Sequence, residues 1–273
     1  MKIHPGFVIC ATVALVLNGC NEVPVTGRRA MSLVDDKEVT KMSIAMFDGM
    51  KSQHRVSRDK NLTARLRRVG ERLQSSISIW DMPDADWEFV VFDVPNQINA
   101  FAMAGGKVGV FTGLFKIVKN DDQLASVIAH EIAHVTAKHI HEKLSQDLAV
   151  QTIGTVGMLG AGLGGAGYIT TAALSQAYGI TTTVGELAFD RKKEKEADYI
   201  GLMYMARAGY DPQEAVRVLE QLEAETGTQT AESSFLSTHP TNPERIVQLL
   251  NAMPKAEEER AKSRFNKAPA LVK

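Results

Sequence analysis

The sequence predicts an α+β fold, mainly helical, with a small β-sheet. Three observations carry this reading. Several long stretches repeat apolar residues every three to four positions, as a half-buried helix does. One stretch, Trp87 to Val94, is dense in aromatic and β-branched residues and reads as a strand. A second, Asn99 to Phe111, has two short apolar runs around Gly105-Gly106 and reads as a hairpin.

In chain order, residues 1–19 come first and stand apart. Lys2 is the one charge before an apolar run from Val8 to Leu17, which is about half the length a membrane-crossing helix needs. A basic start, a short apolar core and small residues after it describe an export signal, not a membrane span. Its end, Leu17-Asn18-Gly19-Cys20, resembles a bacterial lipobox, whose Cys is lipidated and becomes the first mature residue; Asn18 departs from the small or apolar residue usual there. The alternatives are an ordinary cleaved signal and a buried Cys in a core helix. A lipidated Cys20 implies a stable membrane anchor, because a second acyl chain turns marginal binding into lasting attachment. Asn21 is not the Asp that commonly keeps lipoproteins at the inner membrane, which favours the outer one.

Residues 20–34, with Pro24, Gly27, Arg28 and Arg29, are expected to be a lipidated tether. The domain proper is expected over 35–253. It opens with helices from about Asp35 to Ser52 and from Asn61 to Ser76, followed by the strand and the hairpin. A long helix then runs from Asp121 to about Ser145. Asp121 and Asp122 suit its first turn, and Leu124, Val127, Ile128, Ile132 and Val135 form its apolar stripe. Residues 151–180 are rich in Gly and Ala and almost uncharged. They suit a close-packed helix, a lid, or a loop on a membrane surface. Thr, Gln, Ser and Gly interrupt them too often for a membrane span. Further helices are expected from about Asp190 to Ala208, from Asp211-Pro212 to Glu225, and from Asn242-Pro243 through Ala252. Thr226 to Ser237 reads as a loop, and 254–273 as a charged, peripheral tail.

Composition sets outer limits. The 273 residues are 44% hydrophobic and 23% charged, which suffices for a large core without staples. Net charge is −1; removing residues 1–19 leaves 30 basic and 32 acidic residues, a net −2. That balance argues against a strong electrostatic attraction to nucleic acid. The only two cysteines are Cys10, inside the signal, and Cys20, so no disulfide is expected.

The chemistry lies in His130-Glu131-Ile132-Ala133-His134 on the long predicted helix. Four residues is just over one turn, so both imidazoles share a face and can grip one metal ion. Glu131 lies about 100° around the helix, placed to reach a water on the metal rather than the metal itself. A catalytic zinc wants three protein ligands. The candidate third is Glu194, in Glu194-Lys195-Glu196-Ala197-Asp198. Asp198, one turn on, can accept the far N–H of a ligand imidazole and fix its tautomer. A metzincin would need Gly and His where Ala137 and Ile140 stand, so that class is excluded. His139, His141, Glu142 and Glu196 are expected to be exposed polar residues. The bland alternative for the whole motif is a charged, solvent-facing helix.

Four stretches together resemble one family: NAFAMAGGKVGVFTGLF, ASVIAHEIAHVTAKH, RKKEKEADYIGLMYMARAGYDP and STHPTNPERI. They are similar to the metallopeptidases related to CAAX prenyl proteases, HtpX-type heat-shock proteases and Oma-type mitochondrial proteases. PVTGRRAMSLV looks like the tether of that family's lipoprotein members. The resemblance covers roughly residues 23–252. It implies a gluzincin metalloprotease domain, with its sheet beside the H-E-x-x-H helix. It implies one Zn2+ per chain on His130, His134 and Glu194, with Glu131 as general base. It places His239 near the metal, where it stabilises an oxyanion, takes the open coordination position and holds the enzyme latent, or simply shapes the cleft. Arg245 assists there or pairs with an acid on the last helix.

The membrane helices of the prenyl and HtpX branches have no counterpart in this sequence, which favours the lipoprotein branch. The resulting expectation is a zinc endopeptidase on the periplasmic face of a bacterial envelope, anchored through Cys20. It would cleave misfolded or unassembled envelope proteins, pairing an extended substrate with an open strand edge in Ala104–Phe111. The alternative is a lipid-anchored chaperone or assembly factor with a structural metal.

Overall fold

The computed structural model of the protein describes residues 20–77, 81–82, 84–146, 190–226, 235–240 and 242–266. The predicted export signal and the Gly/Ala-rich segment 151–180 lie outside the described residues. A hairpin of β1 (Cys20–Glu22) and β2 (Arg29–Met31) leads into α1 (Asp36–Gln53) and α2 (Lys60–Gln74). Strands β3 (Glu88–Phe92), β4 (Ala100–Met103) and β5 (Lys107–Phe111) follow, then a 3-10 turn, Thr112–Lys116. The rest is helical: α3 (Asp121–Thr136), α4 (139–146), α5 (Arg191–Arg207), α6 (Gln213–Thr226), α7 (Phe235–Thr238) and α8 (Pro243–Lys262). The molecule is thus mainly helical α+β with a small three-stranded sheet, as predicted.

The central element is α3. Asn120 caps it by accepting from the Gln123 backbone N–H, and Asp121 and Asp122 occupy the first turn. Leu124, Ile128 and Ile132 are fully buried, as are most residues around the helix. It packs against α2, α5, α6 and β4. The contact with α5 is unusually close. A Cβ on Gly201 would stand 2.9 Å from the His130 backbone nitrogen and 3.0 Å from its Cα, so any larger residue pushes the two helices apart.

One helix from Asp121 to Ser145 is not what forms. The helix stops at Thr136, Lys138 adopts a left-handed φ of 60°, and a new helix starts at 139. That conformation costs a non-glycine residue about 1–2 kcal/mol. The Lys138 N–H bonds the Val135 carbonyl (3.0 Å), and its ammonium pairs with Asp36 (2.8 Å), which offset the cost.

The sheet order is β3-β5-β4, with β3 parallel and β4 antiparallel to β5. The predicted hairpin forms, turning through Gly105 and Gly106 at φ 85° and 77°. Its second strand is nevertheless the middle one. The segment Ala104–Phe111 therefore does not offer an open edge for a substrate strand, because β3 covers the side that β4 leaves free. Parallel pairing of this kind joins distant residues and leaves no local mark. Phe47, Phe92, Phe101 and Phe111 pack edge-on and stacked between α1 and the sheet, with neighbouring centroids 6.0–6.2 Å apart.

Two terminal stretches carry more structure than the sequence suggests. The stretch read as a tether contains β1 and β2, and Val23 and Ala30 are buried in the main core. Helix α8 does not end by Ala252 but runs through Pro254 to Lys262. Proline removes one helical hydrogen bond there. Burial of Met253 and Ala256, and the Arg207–Glu259 pair at 2.8 Å, hold the later turns in place. Among the described residues, no helix is long and apolar enough to cross a membrane.

Candidate metal centre

His130 and His134 project from one face of α3 into the interior, with their Nε2 atoms 3.1 Å apart. Glu194, in the first turn of α5, meets both: its Oε2 is 3.4 Å from His130 Nε2 and its Oε1 is 3.4 Å from His134 Nε2. Asp190 starts that turn by accepting from the Lys192 and Lys193 backbones. His239, just after α7, brings Nδ1 to 3.3 Å from His130 Nε2 and 3.0 Å from Glu194 Oε1. The four donor atoms all lie within 4.8 Å of one another, and all four residues are buried.

These residues fit a zinc ion. Tetrahedral zinc with ligands at about 2.0–2.1 Å holds neighbouring donors roughly 3.3–3.4 Å apart. The separations here are close to that. Imidazole lone pairs brought this near in a dry interior repel each other unless a proton or a cation lies between them. Three imidazoles and a carboxylate are donors that zinc favours.

The electrostatics agree. Burial pushes His134 well below the usual histidine range, leaving it neutral with a lone pair to give. Burial works against the Glu194 carboxylate, but His239, His130 and His134 around it hold it well below the usual range, as an anion. Burial also opposes charge on His130; the carboxylates of Asp198 and Glu194 outweigh it and raise the ring to about 10. A proton on His130 and a cation among the donors answer the same surplus of negative charge, so a metal that binds displaces the proton.

Behind these groups lies a second layer. Asp198 Oδ1 sits 3.0 Å from His130 Nδ1. Arg245 grips Asp198 with two bonds, from Nε (2.6 Å) and Nη2 (2.7 Å). Its Nη1 is 2.9 Å from Glu194 Oε2 and donates to the carbonyls of His239 (3.3 Å) and Pro240 (3.1 Å). The acid that Arg245 pairs with is therefore on α5, not on the last helix. Glu131 is buried beside the cluster, with Oε1 3.4 Å from His239 Nε2. Burial raises its pKa, against the pull of His239 and His130.

Four residues expected to be exposed are not. His139 is fully buried, 2.9 Å from His134 through the two Nδ1 atoms and 3.0 Å from Glu196 Oε2 through its Nε2. Glu196 and Glu142 both bind Arg28, at 2.7 and 2.6 Å. His141 is buried 3.1 Å from Asp36. The break at Lys138 is the reason for His139, His141 and Glu142, and Glu196 is covered by His139 and Arg28. Faces drawn on a continuous helix are rotated beyond the break, and the turn folds His139 back beneath His134. Residue spacing carries no signal for that break.

A family model described as peptidase family M48 matches residues 60–253. Similar curated proteins include a "Mitochondrial metalloendopeptidase OMA1" from Schizosaccharomyces pombe, 38% identical over 71% of this chain and 55% of its own length. A "Beta-barrel assembly-enhancing protease" from Escherichia coli K12 is 33% identical over 71% of this chain and 39% of its own length. A putative protein of that name from Vibrio cholerae is 29% identical over 86% of this chain and 48% of its own length. The chain thus spans about half, or less, of the curated relatives it matches.

Proposed function

The chain belongs to peptidase family M48, and from that premise we propose that it is a zinc-dependent endopeptidase. The observation that carries the reading is the convergence of His130, His134 and Glu194 at tetrahedral spacing, with Glu131 buried alongside. His130, His134 and Glu194 would hold the ion, and Asp198 orients His130. The zinc supplies a Lewis acid, which polarises a peptide carbonyl and acidifies water. Glu131 takes the proton of the attacking water on a carboxylate oxygen and passes it to the leaving amine.

The test is metal content and casein cleavage of the full chain. About one zinc per chain is expected, with cleavage lost to a chelator and restored by added zinc. Cleavage that persists after the metal has been stripped excludes the reading.

His239 reads best as a latch. Its Nδ1 lies 3.3 Å from His130 Nε2 and 3.0 Å from Glu194 Oε1, where a fourth protein ligand would close the open position of a catalytic zinc. His239→Ala is expected to raise the rate of casein cleavage. A fall of about 10²–10³-fold, the size expected for a lost oxyanion donor, assigns the residue to catalysis instead.

Residues 1–19 as an export signal and Cys20 as the lipidated residue rest on the lipobox-like sequence. Mass analysis of the mature N-terminus, showing an acylated Cys20 or an unmodified one, decides between them. Placement on the periplasmic face, with the outer membrane favoured over the inner, rests on Asn21 and is supported by the bacterial relatives. Misfolded or unassembled envelope proteins are the proposed substrate class; two bacterial relatives are named as proteases that enhance β-barrel assembly.

A further inference from the structure

The two histidines on α3 are held from behind by chains of the same design. For His130 the chain is short: Nδ1 meets Asp198 at 3.0 Å, and Asp198 is clamped by Arg245. For His134 it is one imidazole longer. We infer that His139, Glu196 and Arg28 form a positioning relay that fixes His134 for the metal, so that an arginine of the N-terminal hairpin helps to hold the ion. The inference rests on the zinc reading of the site above.

The Nδ1 atoms of His134 and His139 lie 2.9 Å apart, with both rings buried. One proton must lie between them. A hydrogen bond between two ring nitrogens needs an N–H on one and a lone pair on the other. If His134 turns its Nε2 lone pair to the metal, its N–H is at Nδ1 and donates to His139 Nδ1. The N–H of His139 is then at Nε2, which faces Glu196 Oε2 at 3.0 Å. No tautomer in the chain remains free.

Glu196 is itself held from outside. Arg28 Nε donates to both its oxygens at 3.0 and 2.7 Å, and Thr26 Oγ1 donates to Oε1 at 2.8 Å. Arg28 also binds Glu142 on α4 through Nη1 (2.6 Å) and the Ala137 carbonyl at the helix break through Nη2 (3.4 Å). A single side chain from the β1–β2 connection thus ties α3, α4 and α5 together at the back of the site. The Arg28 side chain is 36% exposed, while that of His139 is 0% exposed, so the effect weakens outward along the relay.

The experiment measures the zinc dissociation constant of the full chain by competition with a chromophoric chelator, together with the unfolding temperature of the metal-free form. Loss of a group behind a metal ligand costs roughly 10–100-fold in affinity. His139→Phe, which keeps ring volume but cannot accept the proton, is expected to weaken zinc by that amount. Glu196→Ala weakens it less and Arg28→Ala least. Glu196→Gln keeps an accepting oxygen for His139 and stays near the parent. A purely structural role lowers the metal-free unfolding temperature and leaves zinc affinity unchanged. Folded His139→Phe and Glu196→Ala chains with parental affinity overturn the relay. Should His139→Phe fail to fold, Glu196→Ala against Glu196→Gln decides alone. A parent chain that takes up no zinc overturns the metal reading itself, and the relay with it.

Discussion

Glu131→Gln is expected to lower casein cleavage by about 10²–10⁴-fold while leaving zinc content and fold in place. Gln has the shape of Glu but cannot take a proton. Glu131 Oε1 lies 3.4 Å from His239 Nε2, a contact that an amide of the same shape also fills. Two other carboxylates, Glu194 and Asp198, are buried in the same site. Neutralising a third lowers their mutual repulsion, so the variant should unfold no earlier than the parent.

The sign of the pH effect follows as well. Burial raises the Glu131 pKa above the ordinary carboxyl value, and the base is its deprotonated form. Parental kcat/KM should therefore fall as pH drops through that raised value, whereas the residual rate of Glu131→Gln lacks this limb. The measurement is a pH profile of cleavage for both chains, with zinc content checked at each pH. A variant that keeps full cleavage removes Glu131 from the reaction. A variant that loses cleavage yet keeps full function in cells supports a chaperone with a structural metal.

Arg245→Ala is expected to cost about 3–5 kcal/mol of folding stability, the range for removing one partner of a buried ion pair. Arg245 is 1% exposed, and its removal leaves Asp198 and Glu194 buried without their cation. It also strips the donor from the His239 and Pro240 carbonyls, which frees the backbone that carries His239. Arg245→Lys keeps the charge but lacks the planar fork that grips both Asp198 oxygens, so it should fall between the two. Urea unfolding of the metal-free chains reads the effect directly. A midpoint for Arg245→Ala within about 1 kcal/mol of the parent, the size of an ordinary surface change, would mean that the pair does not support the site.

Much of the fold was legible because it follows local periodicity. The acidic first turn of α3 at Asp121 and Asp122, its apolar stripe and the glycine turn at 105–106 are each set by residues within one or two turns of one another. The motif residues belong to the same class. His130 and His134 share a face because a helix repeats every 3.6 residues, and Asp198 follows Glu194 by one turn for the same reason. The donor atoms of His130, His134 and Glu194 lie within 4.8 Å of one another, together with that of His239.

Three features were not legible, and each depends on residues far apart in the chain. The place of β5 in the sheet depends on its parallel pairing with β3, such as Glu88 with Lys107. The relay depends on Arg28 meeting Glu142 and Glu196 across 114 and 168 residues. The face of His139 depends on the left-handed turn at Lys138, which Asp36 helps to hold from α1. Residue order by itself determined the mainly helical frame and singled out the candidate donors and base, because backbone hydrogen bonding links neighbours at fixed spacing. Only the tertiary structure decided what stands behind the donors, because buried charges must find opposite charges wherever the fold brings them together.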